Sequence, residues 1–270
     1  GKPVLLSDID YHGQPAGYAS QPDEVVNYVE NHDNQTLFDN NVYKLPVHTS
    51  TAERVWVQVL ALAVNAFSQG VAYFHAGVDT LRSKSMDRNS FDSGDWFNRL
   101  DWTYRDNHFA TGLPPARENE ANFPLIAPLL REARIKPVPA DIAWTRDTFR
   151  DLLRIRASST LFRLRNAADI KQRLSFPQSA NSHDPLLIAG HLQGDGYPGA
   201  NFKEILYLLN ADTQARSVEL PSERGKHYVL HPVQRDAQAA DPRAKQALYD
   251  MATGRFTVPA RTAVVYELEQ

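Results

Sequence analysis

Two short apolar runs, separated by one long amphipathic segment, dominate the first part of the chain. Residues 25–29 read VVNYV and residues 71–74 read VAYF, and both are apolar on either side of the strand, as in buried parallel strands. The segment 51–68 between them has helical length, with Thr51 as its predicted N-cap and Glu53 in the first turn. A strand, a crossover helix and a second strand predict parallel pairing with a right-handed connection.

The segment that follows is long and irregular. Residues 75–143 contain no long periodic element, and a structureless connection of that length counts against an assignment unless it is a functional loop. Residues 145–158 are again predicted to be helical, because Phe149, Leu152 and Leu153 share one face at i, i+3 and i+4 spacing.

After about residue 160 the pattern changes to short apolar strands separated by Gly, Pro, Asp and Asn. The predicted strands span residues 170–176, 185–192, 204–210, 216–220 and 227–231, with two more around Phe256 and Val264. Turns are predicted at 194–196 and 252–254. Strands about 10–15 residues apart with turn signals favour an antiparallel sandwich.

Composition and charge exclude several classes of function. The chain has 270 residues, of which 42% are hydrophobic and 23% charged, and its 29 basic and 32 acidic side chains leave a net charge of −3. This balance argues against a nucleic acid and against an anionic membrane as partner. No apolar run approaches the roughly 18 residues of a membrane span.

Several catalytic and metal-binding signatures are absent from the sequence. The chain has no cysteine, which excludes disulfides, thiolate nucleophiles and cysteine metal sites. Its nine histidines form neither H-x-H nor H-E-x-x-H, and no G-x-G-x-x-G, P-loop or G-x-S-x-G motif occurs. The first residues lack the pattern of a signal peptide, so we expect a soluble protein whose compartment the sequence leaves open.

The most informative polar residues directly follow the first predicted strand. Residues 27–36 read NYVENHDNQT, which places His32 and Asp33 where parallel barrels carry their catalytic groups. A histidine beside an aspartate there can hold sugar hydroxyls and put a negative charge near a developing cation. The same pair also occurs in an ordinary turn, with the aspartate capping a backbone amide.

A second polar stretch follows the second predicted strand. Residues 81–102 mix acids, bases, amides and aromatic rings, a mixture that suits carbohydrate, because rings stack on sugars while polar groups bind their hydroxyls. The alternative is a solvated loop in which Trp96 and Trp102 are buried. His75, at the end of the second strand, either faces the site or is packed.

At these stretches the chain resembles a known family, the pullulanase-type debranching enzymes, close to plant limit dextrinase, in the α-amylase superfamily of glycoside hydrolases. The matching residues are VNYV at 26–29, HDNQTLFD at 32–39, FHAG at 74–77, LRSKS at 81–85, SGDWFN at 93–98, GLPP at 112–115, DIKQR at 169–173, HPVQ at 231–234 and ATGRFTVP at 252–259. The motifs follow in order at compatible spacings from about residue 8 to the end of the chain.

The resemblance implies a (β/α)₈ TIM barrel followed by an antiparallel C-terminal β-sandwich. Residues 1–160 would hold the last barrel strands, seven and eight, their helices and a long subsite loop, and residues 161–270 would form the sandwich. The implied reaction is retaining hydrolysis of α-1,6-glucosidic branch bonds in pullulan, limit dextrins, starch or glycogen.

The resemblance also implies roles for five residues. Asp33 would be the third acid of the superfamily, which secures the distorted sugar in the −1 subsite, and His32 a hydroxyl ligand beside it. Arg88 would contact substrate, and Asp95 and Asn98 would lie near the sugar. The implied partner is an α-glucan; the sequence requires no cofactor and shows no metal ligands, although the resemblance allows calcium.

The chain departs from the family in what it lacks. The family's nucleophile Asp and general-acid Glu lie upstream, on strands four and five, and a whole barrel of about 250 residues does not fit before residue 160. We therefore expect a fragment whose partner is the rest of its own barrel and which is inactive alone. Two alternatives stay open: a non-catalytic glucan-binding or scaffold protein, and an isoamylase or α-amylase with another bond preference.

Overall fold

The computed structural model describes residues 4–17, 19–177 and 184–269, and the chain divides into two compact units. The strand unit consists of Gly1–Asn27, Ala66–Ala72 and Leu153–Gln270, and the loop unit of Tyr28–Asn65 and Tyr73–Leu152. These units do not coincide with the predicted division after residue 160. The division after residue 160 stays a prediction.

Helices and short strands alternate in the first part of the chain, and strands dominate the last. The helices are α1 (Leu37–Lys44), α2 (Thr51–Phe67), α3 (Asp95–Asn98), α4 (Ala116–Asn119), α5 (Phe123–Arg131), α6 (Pro139–Ser158), α7 (Ala167–Arg173) and α8 (Pro232–Arg235). The strands are β1 (Asp10–Tyr11), β2 (Gln14–Pro15), β3 (Val26–Asn27), β4 (Val71–Ala72), β5 (Leu174–Ser175), β6 (Leu187–Gln193), β7 (Glu204–Asn210), β8 (Arg216–Glu219), β9 (Val229–Leu230), β10 (Leu248–Asp250), β11 (Arg255–Val258) and β12 (Ala263–Leu268). Among the described residues, no helix has both the length and the apolar character needed to cross a membrane.

Helix α2 confirms the predicted helix to within one residue, but its cap differs from the prediction. The backbone N–H of Glu53 donates to Ser50 Oγ at 3.2 Å, and the N–H of Ser50 donates to Glu53 Oε2 at 3.3 Å. This reciprocal pair is a capping box with Ser50 as the N-cap. The hydroxyl of Thr51 instead donates to the carbonyl of Arg134 at 2.7 Å.

Strands β3 and β4 pair in parallel, as predicted, but they are shorter and more exposed than expected. Val26 pairs with Val71 and Asn27 with Ala72, and each strand has only two residues. Val26 is 54% and Val71 45% exposed, so the prediction of strands buried on both faces is wrong for this chain. Within the described residues this sheet has no third strand, and the outer edges of β3 and β4 therefore lack a strand neighbour.

The last part of the chain contains two antiparallel sheets, both within the strand unit. One has the strand order β5-β6-β7-β12-β9, and the other β10-β11-β8. Strand β7 has the predicted bounds. Gly190 of β6 lies opposite Tyr207 of β7, and a Cβ at Gly190 would come within 2.0 Å of the Tyr207 ring, so this register requires glycine.

Both sheets contribute side chains to one apolar core. Leu206 and Leu208 of β7, Val264 of β12, and Phe256 and Val258 of β11 are all 0% exposed and belong to the same cluster. Alternate residues along each strand point into this core, while Ile205, Tyr207 and Leu209 of β7 are buried on the opposite face of the same strand.

The strand predicted at residues 170–176 is wrong for most of its length. Residues 167–173 form helix α7, and only Leu174 and Ser175 form a strand. The side chain of Asn166 accepts a hydrogen bond from the backbone N–H of Asp169 at 2.8 Å and so caps the helix. The apolar residues alone did not distinguish a strand from a short capped helix.

The long irregular segment of the loop unit is packed rather than extended. Leu81 and Met86 are 0% exposed and share a core with Phe38 and Val42 of α1 and Ile126 of α5. The segment thus forms part of the core of its unit and holds its polar side chains in fixed places.

Candidate active site

The pair His32 and Asp33 lies on an open loop shortly after β3. Nε2 of His32 is 3.5 Å from Oδ1 of Asp33, and the two side chains are 81% and 63% exposed. The backbone N–H of Asp33 donates to Oδ1 of Asn31 at 2.8 Å. The loop therefore presents an imidazole and a carboxylate side by side, with both groups accessible to a ligand.

Glu30 closes the base of this loop. Its Oε2 accepts the backbone N–H of Leu37, the first residue of α1, at 2.5 Å, and its Oε1 lies 3.0 Å from Nδ1 of His75. The side chains of Glu30 and His75 are 2% and 14% exposed. Of the two alternatives for His75, the structure therefore favours the packed histidine, with Glu30 as its partner.

Asp39 anchors the segment that packs beneath α1. The hydroxyl of Ser83 donates to its Oδ1 at 2.5 Å, and the backbone N–H of Lys84 donates to its Oδ2 at 2.7 Å. Complete burial raises the pKa of Asp39 to about 6, although these donors and those of Met86 and Thr36 act in the opposite direction.

Lys84 connects that segment to the His32–Asp33 loop. Its side chain reaches the carbonyl of His32, with Nζ 3.4 Å from the oxygen, and the residue is 3% exposed. Burial lowers the pKa of Lys84, while the nearby Asp39 carboxyl opposes the shift. A buried ammonium thus lies directly against the backbone of the candidate site.

The other predicted site residues lie on the segment after Lys84. Arg88 is exposed, with its backbone N–H donating to Asn119 Oδ1 at 3.0 Å, and Asp95 is exposed at the start of α3. Within the described part of the chain, no hydrogen bond or ion pair joins Arg88, Asp95 or Asn98 to His32 or Asp33. Their roles as substrate contacts stay predictions.

The side-chain amide of Asn98 is occupied by its own loop. Oδ1 accepts the hydroxyl of Ser90 at 2.7 Å, and Nδ2 donates to the carbonyls of Ser90 and Gly94 at 2.6 and 2.9 Å. Its backbone carbonyl accepts Nη2 of Arg82 at 3.0 Å. Because both amide hydrogens are engaged, only one lone pair of Oδ1 remains for a sugar hydroxyl.

The two tryptophans of this segment are accessible. Trp96 and Trp102 are each 55% exposed, so the alternative of a loop with two buried tryptophans is wrong. The indole N–H of Trp96 donates to the carbonyl of Thr111 at 3.1 Å, and the guanidinium of Arg99 lies 4.2 Å from its ring centroid. These contacts fix the Trp96 ring in place.

One group of side chains has the spacing of a metal site but already contains a cation. Ligand atoms of His191, Glu204 and Glu223 lie within 4.8 Å of one another. Nζ of Lys226 is 2.7 Å from Glu204 Oε2 and 2.8 Å from Glu223 Oε2. The ammonium occupies the place between the carboxylates and offsets one of their two negative charges, so these residues do not fit a metal ion unless Lys226 is displaced.

The sequence did not assign roles to Glu30, Asp39 or Lys84, although all three are buried and make hydrogen bonds at or near the candidate site. Asp39 and Lys84 belong to the motifs that carry the resemblance, and Glu30 follows the predicted strand. Several neighbours of each residue in the sequence are polar, so hydrophobic patterning did not indicate that these charged side chains are buried and paired.

Comparison with known proteins identifies the family. Residues 104–269 match the family described as "Alpha-1,6-glucosidases, pullulanase-type, C-terminal". The chain is 43% identical to "Pullulanase 1, chloroplastic" of Arabidopsis thaliana over 275 residues, an alignment that covers 98% of the chain and 28% of the relative. It is 34% identical to the pullulanase of Klebsiella aerogenes, covering 98% of the chain and 24% of that protein.

Solved structures give the same result. The chain superimposes on PulA of Klebsiella oxytoca with a TM-score of 0.88 at 32% identity, covering 98% of the chain and 25% of that structure. For the maltotriose complex of PulA from Klebsiella pneumoniae the TM-score is 0.89 at 33% identity. This superposition covers 98% of the chain and 28% of that structure. The chain spans about a quarter of the length of these relatives. It belongs to the pullulanase-type alpha-1,6-glucosidases, whose C-terminal part it matches.

Proposed function

We propose that the protein containing this chain is a retaining glycoside hydrolase that cleaves α-1,6 branch bonds of pullulan, limit dextrins, starch or glycogen. The observation that carries the proposal is the exposed His32–Asp33 pair, with its atoms 3.5 Å apart, on a loop that follows a strand of a parallel pair. Relatives named pullulanases, one of them solved with maltotriose, support this substrate class.

Asp33 acts in this proposal at the transition state. Glycoside hydrolysis passes through an oxocarbenium-like state, and a carboxylate beside the −1 sugar stabilises the positive charge that develops. His32 binds a hydroxyl of the same sugar. Arg88, Asp95 and Asn98 contribute subsite contacts from the segment that Lys84 connects to His32.

The chain supplies only part of the catalytic machinery in this proposal. We assign β3 and β4 to strands seven and eight of a barrel, supported by their parallel pairing, and the two antiparallel sheets to a C-terminal sandwich, supported by their common core. The nucleophile and the general acid then lie in the rest of the barrel, which is the partner of this chain. Calcium, if the enzyme uses it, is proposed to bind outside the cluster that Lys226 fills.

The proposal is tested by Asp33→Ala in the full-length protein, with release of reducing ends from pullulan as the readout. We expect kcat to fall about 10³-fold or more and KM to change less than about tenfold, because the lost interaction acts at the transition state. Asp195→Ala, at an exposed turn of the strand unit, is the matched control and should keep wild-type kinetics. Near wild-type turnover by Asp33→Ala would contradict the assigned role, and no release by the wild-type protein would favour a glucan-binding scaffold.

A further inference from the structure

We propose that Glu30 and Lys84 are positioning residues that hold the His32–Asp33 loop in its reactive geometry. The inference rests on the proposed function, since it assigns a role to the loop through Asp33. Neither group belongs to the substrate contacts described above. Both are buried charged side chains that bind the backbone of the loop or of its immediate ends.

Glu30 joins the two ends of the loop. The loop leaves the core at Glu30 and returns at Leu37, and the carboxylate of the first residue binds the N–H of the second. This charge-assisted hydrogen bond lies at the N-terminus of α1, where the helix dipole favours a negative charge. Thr36 caps the same helix through the N–H of Asp39, so two side chains fix the point at which the loop ends.

A second contact, with a residue that follows β4, also holds Glu30 in place. Its other oxygen pairs with Nδ1 of His75, which follows β4 along the chain. The carboxylate therefore cannot swing away from Leu37 without leaving the imidazole as well. A buried carboxylate with two fixed partners is a rigid attachment for a loop that is otherwise exposed at its tip.

Lys84 holds the loop at His32 itself. The only hydrogen bond of its ammonium within the described residues is to the carbonyl of His32, which precedes Asp33 directly. The backbone around Lys84 is strained, because Leu81, Ser85 and Met86 all have left-handed φ values of 58°, 52° and 66°. Such conformations persist only where the surroundings enforce them, and here Asp39 does so by binding Ser83 and Lys84.

These attachments matter because transition-state stabilisation depends steeply on position. A displacement of about 1 Å far from the reacting atoms can reduce a rate about 100-fold. A loop released from Glu30 or Lys84 keeps His32 and Asp33 but loses their fixed orientation. The expected consequence is a loss of kcat with little change in substrate affinity.

The test compares four variants in the full-length protein, with pullulan as substrate. Glu30→Ala and Lys84→Met should lower kcat about 10- to 100-fold, with KM within about threefold of wild type. Glu30→Gln keeps an acceptor oxygen for the N–H of Leu37 and should retain most of kcat. Glu30→Asp keeps the charge but is one methylene shorter, so its kcat should lie between those of Glu30→Ala and the wild type. Glu120→Ala and Lys44→Met, both at exposed positions of the loop unit, are the matched controls.

Each kcat is calculated per folded molecule. The folded fraction of each preparation is measured as the fraction that unfolds cooperatively. A merely structural role would lower that fraction or the Tm and leave kcat per folded molecule unchanged, which would overturn the inference. If Glu30→Ala does not fold, Glu30→Asp is used in its place. A kcat of Glu30→Asp equal to that of the wild type would then contradict the positioning role of Glu30. Asp33→Ala is measured in parallel. Its full activity would contradict the proposed function, whereas an inactive Asp33→Ala beside fully active Glu30 and Lys84 variants would overturn the positioning inference alone.

Discussion

The buried polar contacts around the candidate site join residues that are far apart in the sequence, whereas the exposed pair consists of two adjacent residues. His32 and Asp33 could be predicted as a pair because they follow one strand directly. Glu30 and His75 are 45 positions apart, and Asp39 and Ser83 are 44 apart, so their pairing depends on the fold and not on spacing. The sequence could therefore predict that these two residues lie side by side after a strand, but not which buried residues contact their loop.

The cluster around Lys226 gives a prediction for stability. The hydroxyl of Tyr228 donates to Glu204 at 2.6 Å and to Glu223 at 2.8 Å, so the two carboxylates share Lys226 and Tyr228 as donors. Lys226→Met leaves two carboxylates without their cation, and we expect it to destabilise β7 by about 3 kcal/mol at pH 7. Hydrogen exchange of the β7 amides measures this change. Lys203→Met, at an exposed position beside β7, should have little effect; an equal effect of both changes would contradict the account.

The same cluster predicts how stability depends on pH. Burial tends to raise the pKa of Glu204, but hydrogen bonds from His191, Lys226 and Tyr228 outweigh it and lower the pKa from 4.5 to about 2. The stabilisation is therefore complete above about pH 4.5 and is lost as the pH falls toward 2. In Lys226→Met the loss of stability between pH 4.5 and 2 should be smaller, because one of the hydrogen bonds that lower the pKa of Glu204 is removed. An unchanged pH dependence would contradict the assignment.

Among the helices and strands, long segments were predicted more completely than short ones, although α6 begins at Pro139, six residues before the predicted start at residue 145. Strand β7 has the predicted bounds, and α2 differs by one residue. Helix α7 occupies most of the predicted strand over residues 170–176, because the side chain of Asn166 caps a short helix there. Strands β3 and β4 are shorter than predicted because, among the described residues, the pair has no further strand to extend or cover it.

The register of β6 and β7 gives a prediction at this scale. Gly190→Ala would put a Cβ about 2.0 Å from the ring of Tyr207, which is 5% exposed and packs against Phe67 and Phe162. We expect a loss of stability of about 3 kcal/mol, because overpacking forces the ring or the strand to move. Gly112→Ala, whose Cβ would meet only ordinary contacts at 3.9–4.0 Å, is the control and should change stability by less than about 1 kcal/mol. Equal unfolding free energies for the two variants would contradict this register.

At the scale of the whole molecule, the chain covers about a quarter of its relatives and shows surfaces suited to further structure. Tyr28 and Tyr73 are 52% and 39% exposed although their rings lie 6.1 Å apart in an edge-to-face pair, and Val26 and Val71 are also exposed. The pattern of residues 25–29 and 71–74 predicted burial that this chain alone does not provide. The proposed remainder of the barrel would cover these side chains.

We propose that this chain completes an α-1,6-glucan hydrolase but cannot perform the reaction alone. Retaining hydrolysis needs a nucleophile and a general acid about 5–5.5 Å apart, and Asp33 is assigned to neither role. The most direct measurement is the release of reducing ends from pullulan by the folded chain of residues 1–270 beside the full-length protein. The account predicts turnover by the full-length protein and none by the chain alone. Clear turnover by a folded, pure preparation of the chain would contradict it and would place the catalytic carboxylates within these residues.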